Sequence, residues 1–333
     1  TAPRLSVGMR RAADAAARWM WSSLGGWVAW SMAWARWGSA AVGVAAAHPG
    51  GGPLAAIGRS ARTLSEGNAD DALLSRSASA RSSLDEEEDA AAGGGDEDTR
   101  PLRLHTAAVS MPHPEKVSWG GEDAHFVSSA GGGAMGVADG VGGWHETGVN
   151  PAAYSRNLMQ AAREYIEGAL DGLPEAAQGS GRAEDGHIVD PRGAIRAAHM
   201  RTRVPGSSTA CVIQLDRTNN ALVAANVGDS GFMLLRRGRL LARSRSMQHY
   251  FDCPMQLGCF PHFVEATDSA ETADVYNLRV RAGDIIVAGS DGLWDNVSER
   301  EVVAAVRRSE PPHELATRLA ELAERHARDP EFE

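Results

Sequence analysis

The stretch GVADGVGGWHETGVN (Gly136–Asn150) opens with the small and apolar residues of a buried strand. It then sets one aspartate, Asp139, among five glycines and a tryptophan. An apolar run ended by Asp-Gly reads as a strand that delivers a carboxylate into a loop with little side chain around it. Asp-Gly alone is a common turn dipeptide and carries little weight. Three further stretches repeat the form. IIVAGSDGLWDN (Ile285–Asn296) runs an apolar strand into Asp291-Gly292, with Trp294 and Asp295 close behind. WGGEDAHFV (Trp119–Val127) sets Glu122 and Asp123 just ahead of an apolar strand, and AANVGDSGF (Ala224–Phe232) puts Asp229 after one. Buried like charges repel strongly, so acids gathered in one place need a cation. No Cys/His set with ligand spacing accompanies them. Cys211, Cys253 and Cys259 form no C-x-x-C pair and read as reduced thiols. Oxygen-only ligation points to Mg²⁺ or Mn²⁺. A glycine after the aspartate lets a backbone carbonyl approach the metal and leaves room for water.

Outward from these stretches, short apolar runs recur: LHTAAV, AHFVSS, AMGVAD, STACVIQL, ALVAANVG, GFMLL and DIIVAGS. Their length and β-branched content suit strands, and DRTNN and RRGR read as turns between them. Asn150-Pro151 and Asp190-Pro191 each read as a cap followed by proline at the first helical position. Tyr154, Leu158, Ala161, Tyr165 and Ala169 repeat at helical spacing after the first cap. Ser298 to Glu301 forms a capping box ahead of VVAAVRR, and HELATRLAELAERHA is a further helix with a Leu and Ala face. Several strands follow one another with no helix between each pair. That favours antiparallel sheets with helices packed outside over a doubly wound parallel sheet.

Composition divides the 333 residues. Thr1 to Ser65 holds seven arginines, one acid (Asp14) and six of the nine tryptophans. An Arg-rich, Ser-rich, acid-poor segment has the character of an organelle transit peptide. The uncharged run from Trp19 to Ala35 makes a membrane anchor the less favoured reading, since a span is richer in Leu, Ile and Val and keeps Trp at its edges. Residues 66–100 contain LDEEEDAAAGGGDED and few large apolar groups, as expected of a disordered acidic linker. The folded part is expected from residue 101 to 333. A formal net charge of −10 disfavours nucleic acid as a partner.

In order, GGEDAHF, GVADGVGGW, GSSTACVI, NVGDSGF, MQHYF and DIIVAGSDGLWDN resemble the type 2C metal-dependent serine/threonine protein phosphatases, and among them the organelle-targeted branch with ADGVGGW and GDSGF. The resemblance covers roughly Thr106 to Arg328. It implies an α+β fold, a four-layer α/β/β/α sandwich with two central antiparallel sheets flanked by helices. It implies hydrolysis of phosphoserine and phosphothreonine on phosphoprotein substrates by metal-activated water, at a centre of two Mg²⁺ or Mn²⁺ ions, in a monomer of mitochondrion or chloroplast if the leader is a transit peptide and of the cytoplasm otherwise. Asp139 matches the aspartate that bridges the two ions. Glu122 and the Gly140 carbonyl match ligands of one ion, and Asp291 a ligand of the other. Asp123, Asp229 and Asp295 are candidates for holding metal-bound water or for capping turns.

The chain also departs from the pattern. Val141 stands where many members carry a histidine, leaving water or His145 as proton donor. Ser118 stands where many carry a phosphate-holding arginine, leaving Lys116 as the nearest cation. RVPGSSTA lacks the aspartate that binds a third metal in some members. The chain stops at ARDPEFE, before the GGKxDDIT segment that adds a final strand and another ligand, so a C-terminally incomplete domain with its last strand missing is expected. Two alternatives stay open: another binuclear metal-dependent phosphohydrolase, because carboxylates specify cations and not a substrate, or a catalytically impaired binding module that keeps the fold.

Overall fold

A computed structural model describes residues 39–49, 101–169, 189–260, 267–306, 310–329 and 331. The strands are β1 (Ala40–Pro49), β2 (Leu102–Met111), β3 (Ala124–Ser128), β4 (Ala134–Ala138), β5 (Gly206–Ser208), β6 (Ala210–Asp216), β7 (Ala221–Val227), β8 (Gly231–Arg236), β9 (Arg239–Arg243), β10 (Gln248–Tyr250), β11 (Cys253–Pro254), β12 (Leu257–Cys259), β13 (Asp274–Arg279) and β14 (Ile285–Gly289). The helices are α1 (Pro151–Ile166), α2 (Pro191–Arg201), α3 (Asp291–Trp294), α4 (Glu299–Val306) and α5 (Pro312–Arg328). One five-stranded sheet has the order β2-β1-β14-β8-β9, the other β13-β7-β6-β4-β3. The β1–β14, β14–β8 and β8–β9 pairs of the first sheet and the β13–β7, β7–β6, β6–β4 and β4–β3 pairs of the second are antiparallel, as expected of successive strands without intervening helices.

Three apolar layers show how the sheets stack. Side chains alternate across a strand, so one strand feeds two layers. Met135 and Val137 of β4, Cys211 and Ile213 of β6, Phe232 and Leu234 of β8, and Ile286 and Ala288 of β14 meet between the sheets. Ala138, Val212 and Ala225 face the other way, against Tyr154, Leu158 and Tyr165 of α1 and Ile195 of α2. Met233 and Val287 turn outward to Leu315, Leu319 and Ala323 of α5. The result is the expected helix/sheet/sheet/helix sandwich.

Local sequence explains the joints. Asp216 Oδ1 accepts from the backbone of Thr218 and Asn219 and closes the β6–β7 turn, with Asn220 at φ +47°. Asn150 and Asp190 cap α1 and α2 as their Pro-led starts foretell, each accepting a backbone N–H at 3.0 and 2.8 Å. Glu301 Oε2 receives Ser298 N at 2.9 Å, completing the capping box of α4. Ala169 was expected to extend the α1 face, but the helix stops at Ile166 and Gly168 follows at φ +70°.

One expectation is corrected. The leader was drawn to residue 65 and the folded part from 101, yet β1 lies inside that leader and forms an inner strand of the first sheet. It pairs antiparallel with β14, from Val42 opposite Gly289 to Ala46 opposite Ile285. Val42 and Val44 are wholly buried toward α5, and Ala41 and Ala45 toward the second sheet. The described residues from Ser39 to His48 accordingly fall in one compact unit with those from Leu102 onward. The second unit, Pro49–Pro101, holds the expected acidic linker and, apart from its two end residues, lies outside the described residues, as do the Trp-rich leader and any anchor in it. Among the described residues no helix is long and apolar enough to cross a membrane.

Candidate metal centre

Four chain segments bring the acids together, each a strand end or a turn. Asp139 follows β4, Asp123 precedes β3, Asp229 sits between β7 and β8, and Asp291 opens α3 after β14. The Asp139 loop stays paired after β4 ends. Gly140 bridges Ser208, and Val141 N donates to Ser207 O at 3.0 Å. A Cβ at Gly140 would stand 2.7 Å from the carbonyl oxygens of both Glu122 and Pro151, so the loop can pass there only as glycine.

The carboxyl groups of Asp123, Asp139 and Asp291 lie close enough for each to feel a neighbour's charge. Burial, then the charge of Asp291, pushes Asp123 up to about 8, an effect the Ser290 hydroxyl partly opposes. Burial and neighbouring carboxylates hold Asp139 and Asp291 well above the usual carboxylate range. Burial likewise raises Asp229, opposed by the Gln248 side chain, which donates to Asp229 Oδ2 at 3.2 Å. Asp123 is 4% exposed, whereas Asp139 and Asp291 keep some surface toward solvent. The cluster is therefore crowded by protein yet open on one side.

The expected site residues divide. Asp123, assigned an outer role by the resemblance, stands in the cluster with Asp139 and Asp291. Glu122 stands a step outside: Lys116 Nζ bonds its Oε2, and its charge reaches Asp123. Asp229 acts on Asp139 and Asp291 from the adjoining turn, and exposed Asp295 acts on Asp291. His145 is exposed on the short 3₁₀ turn Gly142–Thr147. Among the described residues no three acid, His or Cys side chains are already closed around one point. The donor set nevertheless suits a hard dication: oxygen only, with carboxyl groups whose mutual repulsion a cation would reverse.

Hydroxyl groups escaped the sequence reading, although Ser290 and Ser207 sit in the quoted motifs. Ser290 Oγ donates to Asp123 Oδ2 at 2.9 Å and receives Ala41 N at 3.0 Å. Ser155 Oγ donates to Glu122 O at 2.5 Å. Trp144 Nε1 donates to Ser207 Oγ at 2.7 Å, and Ser207 Oγ donates to Gln256 Oε1 at 2.5 Å. The start of β1 reaches the same place: Ser39 Oγ receives His113 N at 3.2 Å, and a Cβ at Gly292 would collide with the Ser39 carbonyl.

No family model matches the chain. Individual proteins do. It is 39% identical over 235 residues to "Probable protein phosphatase 2C 26" of Arabidopsis thaliana, covering 70% of this chain and 71% of that protein. It is 38% identical over 270 residues to "Probable protein phosphatase 2C 55" of the same plant, covering 80% of this chain but 52% of that protein. The human "Protein phosphatase PTC7 homolog" is 35% identical over 228 residues, covering 64% of this chain and 69% of that protein. Among solved structures, that of the photosystem II phosphatase PBCP is 36% identical with a TM-score of 0.56, covering 65% of this chain and 77% of that one. The chain belongs to the protein phosphatase 2C family. It spans about half the length of some of the curated relatives it matches.

Proposed function

We propose that this chain hydrolyses phosphoserine and phosphothreonine esters of proteins at a centre of two Mg²⁺ or Mn²⁺ ions. The observation that carries the reading is the convergence of Asp123, Asp139 and Asp291 from three segments, with their carboxyl groups near enough to raise one another's pKa. Asp139, at the middle, would be shared between the ions. The Gly140 carbonyl, Glu122 and Asp291 would complete the set, with Asp123 and Asp229 at hand as further oxygens. Bound dications would supply charge neutralisation for the phosphoryl oxygens and a lowered pKa for water, so no covalent phosphoenzyme is required. Ser290 holds Asp123 by its hydroxyl, and Thr209 holds the Asp139 backbone. Lys116, bonded to Glu122, would meet a phosphate as a point charge and without the two-pronged grip of arginine.

Phosphoprotein substrates follow from the family. Placement in an organelle rests on the leader's composition and on likeness to the photosystem II phosphatase. The test is release of phosphate from a phosphothreonine peptide and from p-nitrophenyl phosphate, with and without Mn²⁺. Metal-dependent turnover of both is expected. Binding of a phosphopeptide with no turnover at saturating Mn²⁺ would favour a binding module instead.

A further inference from the structure

Asp139 lies one residue beyond β4, and the β4–β6 ladder ends a residue earlier still, at Val137 opposite Cys211. The loop beyond is paired through Gly140 and Val141, and the backbone of Asp139 itself needs its own partner. A single residue provides it. Thr209 Oγ1 accepts the Asp139 N–H at 2.9 Å, and Thr209 N donates to the Asp139 carbonyl at 2.9 Å. Both main-chain polar groups of the aspartate are thus held by one partner. The same hydroxyl lies 2.7 Å from Ser230 Oγ, and Ser230 directly follows Asp229. A hydroxyl has one proton and two acceptor sites, so Thr209 can serve both neighbours at once. Thr209 and Ser230 are each 1% exposed, out of competition from water.

We propose that Thr209 is a positioning residue for the metal centre, fixing Asp139 and coupling its loop, through Ser230, to the turn that carries Asp229. The proposal rests on the reading of Asp139 as a cation ligand. Outer groups that orient ligands commonly change metal affinity by about 10- to 100-fold when removed. Valine at 209 keeps the shape and deletes the hydroxyl, leaving the Asp139 N–H and the Ser230 hydroxyl each short of a partner. Serine at 209 keeps the hydroxyl and drops only a methyl group.

The experiment is calorimetric Mn²⁺ titration of the full chain and of Thr209→Val, Thr209→Ser, Ser230→Ala and Asp139→Asn, beside the melting temperature of each without metal. Thr209→Val should bind Mn²⁺ at least about tenfold more weakly, with Thr209→Ser within about twofold of the parent. A merely structural threonine would lower the metal-free melting temperature and leave Mn²⁺ affinity alone, and that result overturns the proposal. Should Thr209→Val fail to fold, Ser230→Ala decides: weaker Mn²⁺ binding supports the coupling, and parental binding overturns it. Parental affinity in Asp139→Asn would overturn the ligand reading and this inference with it. Weakened binding there but parental binding in the Thr209 and Ser230 variants would overturn this inference alone.

Discussion

At the scale of single residues, the site is a contest between burial and charge, and glycine decides whether the chain can enter it. The Asp139 loop passes so close to the Glu122 and Pro151 carbonyls that a methyl at position 140 has nowhere to go. Both obstacles are backbone, so neither can rotate away. Gly140→Ala should therefore cost about 1–3 kcal/mol of stability and misplace Asp139. The check is a thermal melt without metal alongside Mn²⁺ affinity, both expected to fall. A second residue-scale expectation concerns acid. His199 Nδ1 meets the buried Tyr154 hydroxyl at 2.7 Å, and burial, then Arg203, lowers its pKa below the ordinary 6.5. The unfolded chain thus takes up a proton near pH 6.5 that the folded chain refuses. Stability is retained above that value and lost as pH falls below it, by at most about 1.4 kcal/mol per pH unit. His199→Gln keeps a hydrogen-bonding side chain without the titration. Its unfolding free energy should depend less steeply on pH between about 6.5 and 5; an unchanged slope would contradict the assignment. The acids themselves were legible in the sequence because Asp-Gly after an apolar run recurs. Their ranking was not. Glu122 and Asp123 are neighbours in sequence, and only the fold shows that Lys116 takes the first while Asp139 and Ser290 flank the second. Nor does a serine or threonine announce which backbone group it will grip.

At the scale of elements, apolar runs with β-branched residues were recognisable: β2, β3, β4, β6, β7, β8 and β14 all fall on them. The strand that was missed has the sequence AAVGVAAAHP. Alanine is a weak strand former, and the segment lies in an Arg- and Trp-rich stretch separated from β2 by a long acidic insertion. Loop-closure entropy grows only slowly with length, so such an insertion does not prevent the two strands from sharing a sheet. β13, DVYNLR, was also overlooked: its exposed face mixes Val275 with Asn277 and Arg279, and Asp274 shares the other face with Tyr276 and Leu278, so no clean alternation shows. The consequence for β1 is direct. A chain beginning at residue 101 loses the strand between β2 and β14, with the buried Val42 and Val44 each worth roughly 1.5–3 kcal/mol. It also loses the Ala41 N–H that anchors Ser290. That product should be insoluble or without a cooperative melt, whereas a chain beginning at Ser39 should keep both. Circular dichroism melts of the two truncations make the comparison, and a cooperative melt of the shorter one would show that β1 is dispensable.

At the scale of the whole molecule, the two sheets and their helices serve to hold strand ends. The acids leave β4 and β7 of one sheet and β14 of the other, with Asp123 ahead of β3, so the centre draws on both halves of the sandwich. A cation there would tie these segments together, and binding to the folded state alone raises stability by mass action. We propose that this cluster binds dications and that Asp139 is their shared ligand in phosphate-ester hydrolysis. The most direct measurement is the Mn²⁺ dependence of phosphothreonine-peptide hydrolysis by the chain and by Asp139→Asn, with the metal-induced rise in melting temperature recorded on the same samples. The expected result is saturable activation with a rise in melting temperature for the chain, and for the variant a loss of roughly a thousandfold in kcat/KM, about 4 kcal/mol of barrier, with the thermal rise abolished. Parental turnover and a parental thermal shift in Asp139→Asn at saturating Mn²⁺ would contradict it.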